Sequence, residues 1–297
     1  MPVTELKVAD SNEGPYGVAL RPGGSAPEVW TTLVHTGVVA RVAEGNEVER
    51  FDLGASGSRP SVIVTGPDDA VWFTRNGDNQ IGRIDSSGVV SSYPVLSDGG
   101  SPYGLCTGPD DALWFTLMGA DKIGRISVDG SVTEFAIGVA GGFPAHIAAT
   151  PERPELWFTL NQANAIARMS LDGEVTTYPL PTGQAGPVGI SVGPDAVWFV
   201  ELLAGQVGRI DQDGVLTEFP LPDRSSKPHA VAATPDGGCW VTLWGSGSVA
   251  RLDRDGSVVA EVDLGAESEP HGLAVAPDGG VWVALEIGVL AHIHAWE

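Results

Sequence analysis

Cysteine is almost missing from this chain: Cys106 and Cys239 are the only two in 297 residues. Two thiols cannot build the disulfide framework of a small secreted scaffold. Both fall in strand-like runs and read as buried thiols of a reducing compartment. Basic residues are scarce as well, 16 Lys and Arg against 38 Asp and Glu, for a formal charge of −22. A field of that sign repels nucleic acid and anionic membrane surfaces and tolerates cationic or metal-bound ligands. No apolar run approaches the roughly 18 residues a membrane helix needs. The N-terminal MPVTELKVADSNEGPYG has no basic region followed by an apolar stretch, so no signal peptide is expected and the cytoplasm is the default location. A nucleophilic-serine motif, a phosphate loop and a cysteine metal cluster are also absent.

Glycine and proline, by contrast, are abundant at 40 and 22 residues, which argues for many turns and against long helices. A hydrophobic share of 42% marks a globular chain, and its length is ample for a sizeable core. Tryptophans stand at Trp30, Trp72, Trp114, Trp157, Trp198, Trp240 and Trp282, with gaps of 42, 42, 43, 41, 42 and 42 residues. A basic residue follows each at an offset of eleven, or ten in the last copy: Arg41, Arg83, Arg125, Arg168, Arg209, Arg251 and His292. A proline precedes each: Pro15, Pro60, Pro102, Pro144, Pro187, Pro228 and Pro270. Three markers sharing one period of this size signal a solenoid, a propeller or an array.

Each unit holds four short apolar segments. In the fifth they are PVGISVG, AVWFVE, QVGRID and VLTEFPLP, separated by Pro-Asp, Ala-Gly and Asp-Gly turns. Four strands per unit match a propeller blade. The last unit supplies only HGLAVA, VWVALE and VLAHIHA, and the missing fourth kind of segment sits at the start, in residues 3–8. These features predict an all-β, seven-bladed β-propeller of four antiparallel strands per blade, a single domain over 1–297 whose last blade is closed by the N-terminal strand. A stacked solenoid would need capping repeats, and none is seen. Short outer edges favour a monomer. The recurring tryptophans are expected to pack blades, and the recurring arginines to bond carbonyls or a neighbouring carboxylate between blades.

Function should lie where one copy departs from the others. The first strand of a blade starts beside the end of the second, so both points sit at one mouth of the central channel. The residues after the prolines form a ring there: Tyr16, Ser61, Tyr103, Ala145, Val188, His229 and His271, with His146 one position further along. Carboxylates occur at second-strand ends at Glu201 and Glu286, where other blades have Arg75, Leu117, Leu160 and Leu243 at the level of Glu201. Glu269 precedes His271 by two residues, which brings Glu269, His271 and Glu286 together on the last blade. Carboxylate oxygens suit Mg²⁺ or Ca²⁺, and a histidine beside them can move a proton near neutral pH. Such groups also line wet channels, and the residues alone leave both readings open.

The units LWFT, KIGRI and TEF, with PYG, PVGI, PHA and EPHG at the starts of blades, resemble the virginiamycin B lyase family, the streptogramin B resistance enzymes. The resemblance covers essentially the whole chain. Its most specific parts are Gly14-Pro15-Tyr16-Gly17, Lys227-Pro228-His229-Ala230, Glu269-Pro270-His271-Gly272 and Ala284-Leu285-Glu286, each in the matching blade. The resemblance implies a carbon–oxygen lyase that opens a cyclic depsipeptide antibiotic at its ester by elimination. It implies that Glu269 and Glu286 hold Mg²⁺, that His271 is the general base, that His229 contacts the substrate and that Tyr16 lines the site. Two other classes stand beside it: a metal-dependent lactone hydrolase of the gluconolactonase kind, and a non-catalytic ligand-binding propeller. The hydrolase would use asparagine and aspartate ligands from several blades, which cannot be assembled here.

Overall fold

The computed structural model describes residues 1–24, 26–150 and 153–295. They form seven four-stranded antiparallel sheets. The first blade runs outward from the channel through Pro15–Arg21, Glu28–Leu33, Val38–Val42 and Val48–Asp52. Blades two to six repeat the pattern, and their inner strands start at Pro60, Pro102, Pro144, Pro187 and Pro228. Inner strands of successive blades touch in order around the ring, and the first touches the seventh. The expected seven-bladed propeller is the observed fold. No described helix is long and apolar enough to cross a membrane.

The seventh blade takes three strands from the end of the chain, Pro270–Val275, Val281–Leu285 and Val289–Ile293, and its outer strand from Val3–Lys7. The register runs from Val3 opposite Ile293 to Lys7 opposite Val289. Beyond the strand, the amides of Val8 and Ala9 both donate to the Gly288 carbonyl, at 3.0 and 3.1 Å. The start of the chain is therefore fixed both to the last strand and to the loop before it.

Core packing lies between and within blades. Second-strand tryptophans stack on fourth-strand aromatics in the first five blades, with centroids 5.2–5.8 Å apart, as Trp30 does on Phe51 and Trp114 on Phe135. The recurring arginines lie over these rings, Arg83 at 5.6 Å and Arg125 at 5.9 Å. Their carboxylate partners belong to the same blade and not to a neighbour: Arg83 bonds Asp68, which also accepts from Trp72, and Arg125 bonds Asp110, which accepts from Trp114. The turn between the first two strands ends beside the tryptophan edge, so one carboxylate there reaches both donors. Arg209 is the blade-crossing case, donating to the Arg254 carbonyl. Opposite second-strand Phe73, Phe115 and Phe199 stand Gly82, Gly124 and Gly208. A Cβ on any of these glycines would lie 2.1 Å from the ring. Where the second strand has Thr31 or Val241, the facing residue is Ala40 or Ala250. In these five blades the larger side chain faces the smaller partner, while in the fourth Phe158 faces Ala167.

A threonine hydroxyl joins neighbouring blades at the channel wall. Every inner strand has a bulge between its proline and the third residue beyond it, where the register to the second strand slips. In five blades a second-strand threonine accepts from the amide freed by that bulge, as Thr32 does from Gly17 and Thr242 from Ala230, both at 2.9 Å. The same hydroxyl donates to a carbonyl of the next blade: Thr32 to Ser61, Thr74 to Tyr103, Thr116 to Ala145, Thr159 to Val188 and Thr242 to His271, at 2.6–2.9 Å. The fifth and seventh blades have Val200 and Ala284 at this position.

Replacing such a threonine with valine leaves a buried donor and a buried acceptor unpaired, at about 1–3 kcal/mol for each orphaned group. Thr159→Val should lower the midpoint of urea unfolding and spare the site. Thr242→Val should lower it comparably and also displace His271, whose carbonyl it holds, visible as a changed His271 ring resonance by NMR.

Candidate functional site

The mouth is built from two backbone positions that face each other in every blade. One is the residue before the proline: Gly14, Arg59, Ser101, Phe143, Gly186, Lys227 and Glu269. All seven have left-handed backbone, with φ between 46° and 67°. A following proline disfavours helical backbone, and a non-glycine residue in this region costs roughly 1–2 kcal/mol. The other position is the first residue past the second strand: Val34, Asn76, Met118, Asn161, Leu202, Trp244 and Glu286. Its amide donates to the carbonyl of the first position in each blade, at 2.9 Å for Val34 to Gly14 and 3.4 Å for Glu286 to Glu269. In the seventh blade a second bond, Glu286 to Ser268 at 3.0 Å, accompanies it. The sequence fills these facing positions with carboxylates in that blade alone.

His271 follows one residue after Pro270, at the start of the inner strand, and is buried. Candidate ligand atoms of Glu269, His271 and Glu286 all lie within 4.8 Å of one another. His271 Nε2 is 2.7 Å from Glu286 Oε2, while His271 Nδ1 is buried without a partner. The other oxygen of Glu286 accepts from His35 Nε2 at 2.6 Å. Glu269 is the most exposed member of the trio. Its carboxyl is pushed above the usual range, first by its contact with Glu286 and then by burial. Glu286 is held low, first by the hydrogen bond from His271 and then by those from Glu269 and His35, against the opposing effect of burial. Two converging carboxylates and an imidazole form a donor set that fits a hard divalent cation, which would replace the charge repulsion between the pair.

Beside this trio stands an aromatic and imidazole wall. The Tyr16 ring lies 4.5 Å from that of His271, and its hydroxyl reaches His229 Nε2 at 3.3 Å and forms a short contact with the Tyr103 hydroxyl. His229 packs edge-on to His271 at 5.0 Å. Burial, then the nearby rings of His271 and His146, drives the pKa of His229 well below its ordinary value. Burial raises the Tyr16 phenol well above its own. Both are therefore neutral near neutral pH, one as a hydrogen-bond donor or acceptor and the other as an O–H donor. Trp244 lies 6.3 Å from His271 on the far side, with Lys227 Nζ 4.7 Å above it. A cavity of about 310 Å³ opens from His271 and Glu286 toward Tyr103, lined also by Arg59, Asn76 and Met118. The structure thus gathers all five residues singled out in the sequence, Tyr16, His229, Glu269, His271 and Glu286. The resemblance marks His35 only as an offset counterpart of a family histidine in the first blade's loop, and Trp244 has no role in it; both lie in loops just past the second strand, where the repeat leaves no fixed residue type.

The model of the virginiamycin B lyase family matches residues 1–293. The chain belongs to that family. Virginiamycin B lyase from Staphylococcus aureus superposes with a TM-score of 0.93 at 32% identity, over 99% of each chain. A catalytically inactive histidine-to-alanine variant of the S. aureus lyase, solved with quinupristin, superposes with a TM-score of 0.92 at 32% identity, again over 99% of each chain. A virginiamycin B lyase of Mycobacterium sp. (strain KMS) is 52% identical over 49 residues, 16% of this chain and 16% of its own length.

Glu201 and the residues level with it are not part of the mouth. Glu201 pairs with Pro187 inside the ladder, whereas Glu286 lies one residue past Leu285, the partner of Pro270. Successive side chains of a strand point to opposite faces, so one step in register sends Glu201 into the packing and Glu286 into the mouth. Leu117 and Leu160 are wholly buried, Leu243 is nearly so, and Arg75 is buried against Asp78 and Ser92. Glu201 itself is fully buried. Gln206 donates to its Oε2 at 2.7 Å, and Oε1 has no partner. Burial raises this carboxyl to about 7.

That shift has a definite sign. The unfolded chain releases the Glu201 proton near 4.3 and the folded chain only near 7, so stability falls as pH rises through that window. Glu201→Gln keeps an acceptor for Gln206 and cannot ionise. It should stabilise the protein by about 2–3 kcal/mol at pH 8 and by little at pH 4. Thermal unfolding of both proteins at the two pH values measures the difference. An equal effect at both would mean that Glu201 titrates normally.

Proposed function

We propose that this protein is an antibiotic-inactivating lyase that linearises type B streptogramins by elimination at their ester bond, with Mg²⁺ held by Glu269 and Glu286. The observation that carries the reading is the convergence of Glu269, His271 and Glu286 at the channel mouth. The family match supports the reaction class. The pairing of the S. aureus relative with quinupristin supports the substrate class, and its inactive histidine variant fits a histidine-dependent reaction.

When bound, Mg²⁺ would act as a Lewis acid on a substrate carbonyl and make the neighbouring α-proton more acidic. His271 removes that proton. Its Nδ1 is closed off in the fold, so Nε2 is the nitrogen presented to the mouth, and a cation held by Glu286 would take the place of the hydrogen bond that now occupies it. The imidazolium that forms has Glu286 Oε2 within 2.7 Å to balance its charge. The electrons of the broken C–H bond form the new double bond. The β-carbon–oxygen bond breaks, and its electron pair leaves with the ester carboxylate. No water enters, so the linear product has the mass of the macrocycle. Tyr16, tilted against His271 with ring centres 4.5 Å apart, restricts the rotation of the base. His229, held neutral by burial, is suited to hydrogen bonding with substrate rather than to proton transfer. The reading places the enzyme in the cytoplasm as a monomer acting on a free small molecule.

Incubation with a type B streptogramin, followed by mass spectrometry, tests the proposal. The expected product is linear, of unchanged mass, and lost when EDTA is added. A product heavier by one water would mean hydrolysis, and untouched antibiotic would remove the substrate assignment. His271→Ala should reduce turnover by about 10²–10⁴-fold while the protein stays folded.

A further inference from the structure

We propose that His35, from the first blade, is a positioning residue that holds the carboxylate of Glu286 in place for the cation. The inference rests on the reading of Glu269 and Glu286 as cation ligands. One oxygen of Glu286 accepts from His35 Nε2 at 2.6 Å and the other faces His271 Nε2 at 2.7 Å, so the carboxylate is gripped from both ends. Each carboxylate oxygen retains a lone pair for a cation after accepting one such bond. Partners that bond a ligating carboxylate typically set metal affinity by 10–100-fold.

The placement of His35 is specified rather than incidental. Its backbone amide donates to the Glu13 carbonyl at 3.1 Å. The Cδ2–Nε2 edge of its ring lies against Gly14, where a Cβ would sit 2.5 Å from His35 Cδ2, and Gly14 has φ of 67°. Glu13 is fixed in turn by the Asp10 amide at 2.8 Å and by Arg50 at 3.1 Å. On the other side, the loop that carries Glu286 is tied to the same N-terminal segment through Gly288, which accepts from Val8 and Ala9. Both ends of the His35–Glu286 bond are thus anchored to residues 8–14. The bond spans the joint between the first and seventh blades, where no strand ladder runs across.

The imidazole is half-exposed, and an exposed contact of this kind contributes little to folding. Its removal should therefore be felt by the cation and not by stability. Two variants of the full-length protein separate the roles. His35→Gln places an amide nitrogen where Nε2 sits and keeps the donor. His35→Phe keeps a ring on Gly14 and removes the donor. Mn²⁺ affinity is read by electron paramagnetic resonance, with Mg²⁺ competition, alongside metal-free thermal unfolding. The expected result is a 10–100-fold weaker Mn²⁺ affinity for the phenylalanine variant, near wild-type affinity for the glutamine variant, and overlapping metal-free unfolding curves. Unchanged affinity in the phenylalanine variant overturns the proposal, as does equal weakening in both variants or earlier unfolding without metal. If the wild-type protein binds no Mn²⁺, the reading of Glu269 and Glu286 as ligands falls, and this inference falls with it. If it binds and Glu286→Gln abolishes binding while His35→Phe does not, only the role of His35 is lost.

Discussion

The hydroxyl of a second-strand threonine is the small group on which the ring depends. Each inner strand must bulge to turn its first residues toward the mouth, and a bulge frees an amide inside the protein. An unpaired buried amide costs about 1–3 kcal/mol. In five of the seven blades the threonine satisfies it and donates its own hydrogen bond to a carbonyl of the next blade. One side chain therefore permits the bulge, joins two blades and fixes the level of the residue that lines the channel. The carbonyl of His271 is one of those held this way. His271 and the scaffold share a hydrogen bond, so the placement of that residue comes from the same device that joins the sixth blade to the seventh.

The site uses positions that the fold supplies seven times. A left-handed residue before each proline and the residue past each second strand face each other across a short backbone bridge. The conformational strain at Glu269 is a property of the blade and is repeated at Arg59, Ser101, Phe143 and Lys227. Chemistry enters through side-chain choice alone: two carboxylates in the seventh blade, a lysine and a tryptophan in the sixth, a phenylalanine and an asparagine in the fourth. The neutral state of His229 and Tyr16 follows from burial at the channel neck, where His271 and Tyr103 crowd them.

The period of the tryptophans, prolines and basic residues made the fold legible, because each marker is tied to a strand whose role is the same in every blade. The closure by residues 3–7 was legible from the missing fourth strand. The meeting of Glu269, His271 and Glu286 followed from antiparallel pairing alone, since the start of the first strand must lie beside the end of the second. A single step of register was not legible. Glu201 and Glu286 both end a second-strand motif, yet one pairs with Pro187 and the other lies past the pair. Glu201 stands three residues past its tryptophan and Glu286 four, but the period does not say which of those two positions faces the channel. The arginine partners were misplaced for a related reason: the carboxylate sits in a turn whose fold-back onto its own tryptophan has no signature in the period. The resemblance marks His35 only as an offset counterpart of a family histidine, and its partner was not legible because Glu286 is 251 residues away and the ring's position depends on Gly14 beside it.

The outer strand of the seventh blade precedes every other described strand along the chain, and its partner follows them all. Pairing so distant in sequence forms late, because the loop it closes is nearly the whole chain. During translation six blades can assemble in order while Val3–Lys7 waits for Val289–Ile293. The blade that carries Glu269, His271 and Glu286 is then the last to be completed. A polypeptide interrupted before Val289–Ile293 would have most of the scaffold and an open seventh blade, so the blade holding the clustered carboxylates is the one that depends on closure of the ring.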